Sequence, residues 1–246
     1  KMRRLARDWK VEERMKLDII DEHYYRGYKD MLRQCNMYDK YDRKGPKVFC
    51  GEWATREGDP TTNMKAALAD AAWMIGMERN SDIVIAHCYA PLFVNVNPGG
   101  MQWKSDLIGY DALNSYGSPS YYAQCMFAGN LGTEVVKMEC DNVPQMTVDG
   151  DTLTQLYYTA TRDKAADKVF VKMVNAGETG IDVVLSTIGK KVSRTALQTT
   201  LVADSMNATN SITDPRAIVP QTKKMKGSGK MKIKLPARSI GVIELQ

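Results

Sequence analysis

Near residue 131 the spacing of apolar residues changes, and that change limits what the chain can become. Over residues 1 to about 130, short apolar runs alternate with helix-length segments, whereas beyond that point strand-like runs follow one another between Gly, Asn and Asp turns. The first pattern is that of βα units around a parallel sheet, and the second that of an all-β module, most simply a sandwich.

In the first part, "LDIIDEHYY" (17–25), "KVFCGEWA" (47–54) and "SDIVIAHCYA" (81–90) read as strands. A helix is expected over 28–42, and another over "NMKAALADAAWMIGMER" behind a Thr cap. In the latter, Leu68, Ala71, Ala72 and Ile75 make one apolar face. A third helix is expected to begin near Pro119. In the second part, "TLTQLYYTAT", "DKVFVKMVN", "IDVVLSTI", "TALQTTLVA" and "MKIKLPARSIGVIEL" alternate as strands do, and "TKKMKGSGKMKIK" (222–234) reads as a solvated basic hairpin.

Composition narrows the function classes. With 43% hydrophobic and 26% charged residues in 246, the chain has the make-up of a folded protein. Its net charge of +5 comes from 34 basic residues interleaved with 29 acidic ones, which argues against nucleic-acid binding. The longest apolar candidate, "DIVIAHCYAPLFVNV", is broken by His87 and Pro91 and falls short of the roughly 18 residues of a membrane span. The amino-terminal "KMRRLARDWKVEERMK" lacks the apolar centre of a signal peptide and reads as a helix from within a domain. Five scattered cysteines, expected mostly as buried thiols, and two histidines suggest neither a disulfide framework, a metal site nor a cofactor. Trp53 and Trp73 are expected in the core.

Catalytic groups on parallel sheets sit at the carboxyl ends of strands. Those ends carry Asp21, Glu22 and His23, then Glu52 and Trp53, then His87 to Tyr89. Carboxylates, imidazole and aromatics together suit glycoside hydrolysis. On this ground alone Glu52 reads more readily as a loop cap than as a nucleophile, and His23 equally as a satisfied, partly buried histidine. Alternation along the strand puts His23 and Tyr25 on one face and Glu22 on the other.

The strings "DEHYY" (21–25), "YDRKGPKVFCGEWA" (41–54), "ALADAAWMIGMERNSDIV" (67–84), "YAPLFVNVN" (89–97) and "YGSPSYYAQCMF" (116–127) closely resemble the α-L-arabinofuranosidases of glycoside hydrolase family 51, in the branch that includes the plant enzymes. The resemblance implies an α/β plus all-β chain: residues 1–130 as the last three βα units of a (β/α)8 barrel, and 131–246 as a carboxyl-terminal β-sandwich. It implies retaining hydrolysis of terminal α-L-arabinofuranosyl groups, with Glu52 as nucleophile and His23 and Tyr25 positioning substrate and nucleophile. In "GGMQWKSDLIGYD" (99–111), Trp103 and Asp106 take the place of a family Trp and a polar residue at the sugar pocket, although many bacterial members have Trp-Arg-Gln where this chain has Trp103-Lys104-Ser105.

The family's acid/base glutamate lies in a Gly-Asn-Glu segment at the end of an earlier strand, and no Gly-Asn-Glu occurs here. The expectation is a chain without half of the catalytic pair, inactive alone, with open strand edges that favour association with an amino-terminal half or with other copies. Its partners would be arabinose-containing plant polysaccharides; the compartment stays open, with polymer degradation suggesting a place outside the cell or in the periplasm. Arabinan, arabinoxylan and arabinogalactan side chains all remain open as substrates. Two alternatives stand beside this reading: Glu22 as a replacement acid, and a non-catalytic carbohydrate-binding or interaction protein.

Overall fold

A computed structural model describes residues 16–189, 192–193 and 195–246. Apart from Lys16, the charged amino-terminal segment read as a helix lies outside the described residues. No described helix is long and apolar enough to cross a membrane.

The first part contains β1 (Ile19–Arg26), α1 (Tyr28–Gln34), β2 (Lys47–Thr55), α2 (Met64–Arg79), β3 (Val84–Tyr89) and, after three short strands, α3 (Pro119–Ala128). The short strands are β4 (Phe93–Asn95), β5 (Ile108–Tyr110) and β6 (Ser115–Gly117). β1, β2 and β3 form a parallel sheet in that order. α1 is shorter than expected and gives way to a 3-10 turn at Met37–Lys40. At that point α2 crosses so closely that a Cβ on Gly76 would collide with the Cys35 carbonyl.

The cap of α2 is Asn63, whose side chain accepts from the Ala66 N–H at 3.0 Å, and not a threonine. Thr62 instead donates its hydroxyl to Ser118 Oγ at 2.7 Å, on the residue that caps α3. Leu68, Ala71, Ala72 and Ile75 are buried as the periodicity requires, but so is nearly every residue from Met64 to Met77. One apolar face is therefore too few. α2 touches β2 on one side and the antiparallel sheet on the other, so it has almost no face left for water.

That antiparallel sheet has six strands. Its order is β14 (Gln221–Lys226), β13 (Thr195–Val202), β16 (Ser239–Leu245), β11 (Lys168–Asn175), β10 (Leu156–Asp163) and β7 (Glu134–Val136). A second layer, β12 (Ile181–Ser186) paired with β15 (Lys230–Leu235), packs on its outer face. Val171, Met173, Leu185, Ile233, Ile243 and Leu245 fill the space between the layers, as in a sandwich. A small hairpin of β8 (Gln145–Val148) and β9 (Asp151–Thr154) forms a separate two-stranded sheet that packs Met146, Val148 and Leu153 on the core and is tied to α1 by Lys29 and Arg33 on Asp151. The inner face contributes Tyr157, Val174, Leu201, Ile240 and Val242 to the same core as α2 and Trp73. Trp53 and Trp73 are both fully buried in that core.

The basic segment 222–234 is not a hairpin. Among the described residues β14 pairs only with β13 and β15 only with β12, so the Gly227-Ser228-Gly229 turn carries the chain from one layer to the other. Alternation in both strands is satisfied without pairing them with each other. The expectation of mostly buried thiols also fails: Cys35 and Cys50 are buried, Cys140 is half-buried, and Cys88 and Cys125 are exposed.

A buried ion pair joins the two parts. Lys172 in β11 is 0% exposed and donates to both oxygens of Glu78, near the end of α2, at 2.7 and 2.6 Å. It also donates to the Phe127 carbonyl at 3.2 Å, while Thr161 Oγ1 donates to Glu78 at 3.2 Å. Burial pulls the Lys172 pKa down, and Glu78 opposes that pull. Removing one partner of such a pair strands the other charge, so Lys172→Met should destabilise the chain by about 3–5 kcal/mol. Adding Glu78→Leu should recover most of that loss. A urea-unfolding double-mutant cycle measures it, and simple additivity of the two substitutions would contradict the coupling.

Candidate active site

Glu52 owes its direction to an irregularity. In β2, Val48 and Cys50 point into the core at 0% exposure, and strict alternation would send residue 52 the same way. The β1–β2 register shifts instead: Asp21 faces Phe49 but His23 faces Glu52, so β2 carries one extra residue there. The extra residue turns Glu52 to the open face and sends Trp53 into the core. Gly51 makes the bulge possible, because a Cβ there would collide with Asp21 Oδ1. Its N–H donates to that oxygen at 3.0 Å, which pins the bulge to β1.

Tyr25 donates its hydroxyl to Glu52 Oε2 at 2.7 Å, and His23 Nδ1 lies 3.4 Å from the same oxygen. The other imidazole nitrogen, His23 Nε2, is 2.9 Å from Asp21 Oδ2. Among the described residues nothing donates to Glu52 Oε1. Burial and the bond to Glu52 push the Tyr25 hydroxyl up to about 12, so it stays a donor throughout the neutral range. The Arg56 guanidinium sits 4.6 Å from the centre of the Tyr25 ring.

Beside Tyr25 opens a cleft of about 440 Å³ lined by Ala54, Arg56, Asp59, Pro91 and the 101–105 loop, with Trp103 59% exposed in it. Lys104 and Asp59 bridge the loops at 3.6 Å. His23, Tyr25 and Glu52 are thus brought together, and Tyr25 shares the cleft with Trp103.

Two residues named from sequence lie elsewhere. Asp106 is 0% exposed and does not line the cleft. Its backbone fastens the Trp103 loop to the segment after β2, through Asp106 N–H to Pro60 O at 3.2 Å and Thr62 N–H to Asp106 O at 3.0 Å. Glu22 points to the opposite face of β1 and accepts from the Tyr41 hydroxyl at 2.8 Å, away from Glu52. His87 accepts from Trp53 Nε1 at 3.3 Å, and burial lowers its pKa.

Behind the strand ends, Asp70 of α2 is a fully buried hub. It accepts from the Thr55 N–H at 2.9 Å, the Ser120 hydroxyl at 2.6 Å and the Tyr89 hydroxyl at 3.4 Å, which ties the ends of β2 and β3 to both helices. Burial raises its pKa to about 6 despite these donors. Asp21, Arg56, Asp59 and Asp70 had no part in the roles assigned from sequence. Arg56 and Asp59 were legible as charges in "REGDP" directly after the β2 strand, whereas Asp70 looked like an ordinary helix residue.

Residues 51–239 match the family model for the carboxyl-terminal domain of α-L-arabinofuranosidases. The chain belongs to the α-L-arabinofuranosidases of glycoside hydrolase family 51. It corresponds to their carboxyl-terminal portion. Alpha-L-arabinofuranosidase 1 of Arabidopsis thaliana is 33% identical over 242 residues, covering 93% of this chain and 33% of that protein. Alpha-L-arabinofuranosidase A of Aspergillus niger is 34% identical over 227 residues, 91% of this chain and 33% of that one. An arabinose-bound GH51 α-L-arabinofuranosidase superposes with a TM-score of 0.82 at 30% identity, over 93% of this chain and 37% of that one. The chain therefore spans about a third of the length of these curated relatives. The family model begins at Gly51, inside β2, and so takes in Glu52, α2 and α3 together with the antiparallel layers.

Neither carboxylate oxygen of Asp106 has a hydrogen-bond partner among the described residues, and burial raises its pKa to about 6. A raised folded-state pKa means that the proton favours the fold. The cost of ionising is absent below about pH 3.8, grows through pH 6 and is complete above it. Asp106→Asn should stabilise the chain by about 1–3 kcal/mol at pH 8 and by little at pH 4. Thermal melts at both values test this; an equal gain at both would remove the buried charge as its cause.

Proposed function

We propose that the chain carries the nucleophile half of a retaining α-L-arabinofuranosidase that releases terminal arabinofuranosyl groups from arabinose-containing polysaccharides. The observation that supports this best is Glu52 at a strand end with Tyr25 bonded to Oε2 at 2.7 Å, beside a cleft that presents Trp103. In this reading Oε1 attacks the anomeric carbon while Tyr25 and His23 hold Oε2. The leaving oxygen takes a proton from an acid on another segment, and water then releases the sugar from the Glu52 ester. Trp103 offers a face for the sugar. Asp106 acts through the loop that presents Trp103, not by touching substrate.

The parallel sheet is read as the last three strands of a (β/α)8 barrel, residues 1–130, with the sandwich over 131–246. Open edges at β1 and β3 and the exposure of Ile19 (51%) and Ile85 (49%) support a barrel completed by an amino-terminal portion. That portion would supply the acid/base carboxylate. Glu22, on the far face of β1, is a poor substitute.

An aryl arabinofuranoside with a good leaving group needs no acid for the first step, which separates the two halves of the mechanism. The purified chain should be labelled on Glu52 by a 2,4-dinitrophenyl α-L-arabinofuranoside, releasing dinitrophenolate in a burst and leaving an arabinosyl ester seen by peptide mass spectrometry, yet release no arabinose from arabinan. Tyr25→Phe should slow labelling by about tenfold or more, on the scale of a lost hydrogen bond to a charged group. A folded chain that binds arabino-oligosaccharides but is never labelled would instead make it a carbohydrate-binding protein. Turnover of arabinan that survives Glu52→Gln would sink the assignment altogether.

A further inference from the structure

The lysines of the 222–234 segment fall on two separate surfaces that meet at one turn. Lys223, Lys224 and Lys226 lie on β14, the outermost strand of the six-stranded sheet, and all three are exposed. Lys230, Lys232 and Lys234 alternate with the buried Met231, Ile233 and Leu235, so their side chains stand in a row on the outer face of the second layer. Along a strand, such a row repeats every ~6.8 Å. Opposite it on β12 are Ser186, Val184 and Asp182, which give the face one carboxylate against three ammonium groups. Among the described residues no carboxylate is within ion-pair distance of any of the six lysines.

Edge protection explains part of this arrangement. Charged side chains on an outermost strand discourage pairing with another chain, which accounts for β14. β15 is an edge strand too, in the two-stranded layer, so edge protection accounts for lysines there as well, but not for three of them in one row opposite a single carboxylate. Three like charges in line without partners repel one another, and that repulsion is relieved when a polyanion binds.

Resting on the glycan-processing role proposed above, we infer that this lysine face is an accessory docking surface for an anionic polysaccharide, a polymer whose sugars carry carboxylates. Lysine rows supply point charges for a flexible chain of carboxylates. The face carries no Arg and no aromatic ring among its residues, so it lacks the stacking platforms that single-stranded nucleic acids use. It lies on the opposite side of the six-stranded sheet from α2. At ~10 Å per layer, the three steps through α2 and the two sheet layers put it on the order of 30 Å or more from the Glu52 cleft. It therefore holds the polymer without being part of the sugar pocket, and raises the local concentration of side chains near that pocket.

The test is affinity electrophoresis and calorimetry of the full chain with polygalacturonate, neutral arabinan, duplex DNA and anionic phospholipid vesicles, at ~20 mM and ~300 mM salt. Polygalacturonate should bind most tightly and lose at least tenfold in affinity at the higher salt. The variant Lys230→Gln/Lys232→Gln/Lys234→Gln should lose at least tenfold at low salt, while its melting temperature and its Glu52 labelling stay as in the parent. Equal binding by the variant, or no preference over neutral arabinan, overturns the inference. Tighter binding of DNA or vesicles assigns the face to another partner and overturns it too. Since labelling reads Glu52 independently, loss of polyanion binding and loss of the proposed active site are separate outcomes.

Discussion

The fold hangs on a helix with sheet on two sides. α2 packs on the parallel sheet that carries the candidate site and on the antiparallel sheet behind it, and the Glu78–Lys172 ion pair fastens its last turn to β11. Both groups are withdrawn from water, and such a pair gives weak net stabilisation compared with an apolar contact. What it does provide is register. A lysine buried in the middle of a β-strand is tolerated only where a carboxylate and a carbonyl await it, so the antiparallel sheet has one rotational setting against α2 that leaves no charge stranded.

The same helix sets the site from behind. Asp70 receives three donors, from the end of β2, the end of β3 and the first turn of α3. An acceptor-only group suits that junction, since every partner donates. Glu52 is three residues before Thr55, whose N–H is held by Asp70, and its other side is held by Gly51 on Asp21. The strand segment that presents the carboxylate is thus clamped at both ends by backbone N–H groups bonded to carboxylates. The side chain keeps 44% of its surface open while its backbone is held in place.

Much of this was legible in the sequence because it rests on periodicity. The strands around 17–25, 47–54 and 81–90, the helices at 63–79 and 119–128, and the strands at 168–175, 181–186 and 195–202 followed from local pattern, whereas "TLTQLYYTAT" and "MKIKLPARSIGVIEL" each read as one run and each divides between two sheets. What escaped depended on long-range packing. Cys35 ends α1 because Gly76 of a distant helix lies against its carbonyl, and no local signal at 28–42 carries that contact. Lys223 to Lys234 read as one hairpin because alternation and a Gly-Ser-Gly turn say nothing about which partner each strand takes. Of the candidate site, His23, Tyr25, Glu52 and Trp103 were within reach of the strings that resemble the family. Asp106 was named because the resemblance puts a polar residue of the sugar pocket there, whereas its side chain is buried and its backbone is drawn inward by Pro60 and Thr62.

The bulge at Gly51 shows how far pattern alone leads. By the two-residue period Val48, Cys50 and Glu52 share a face, and the first two are in the core. A strand obeying that period would bury the carboxylate against Trp73 and Tyr38 and leave Trp53 facing the cleft. Ionising a carboxylate there would be costly, and its pKa would rise out of the range in which a nucleophile works. One extra residue exchanges the two side chains, with the indole going to the core and the carboxylate to Tyr25 and His23. The exchange requires a residue without a Cβ next to the glutamate and an acceptor across the strand pair for its N–H. Gly51 and Asp21 meet those requirements, so the Gly-Glu-Trp order is a statement about backbone geometry as much as about chemistry.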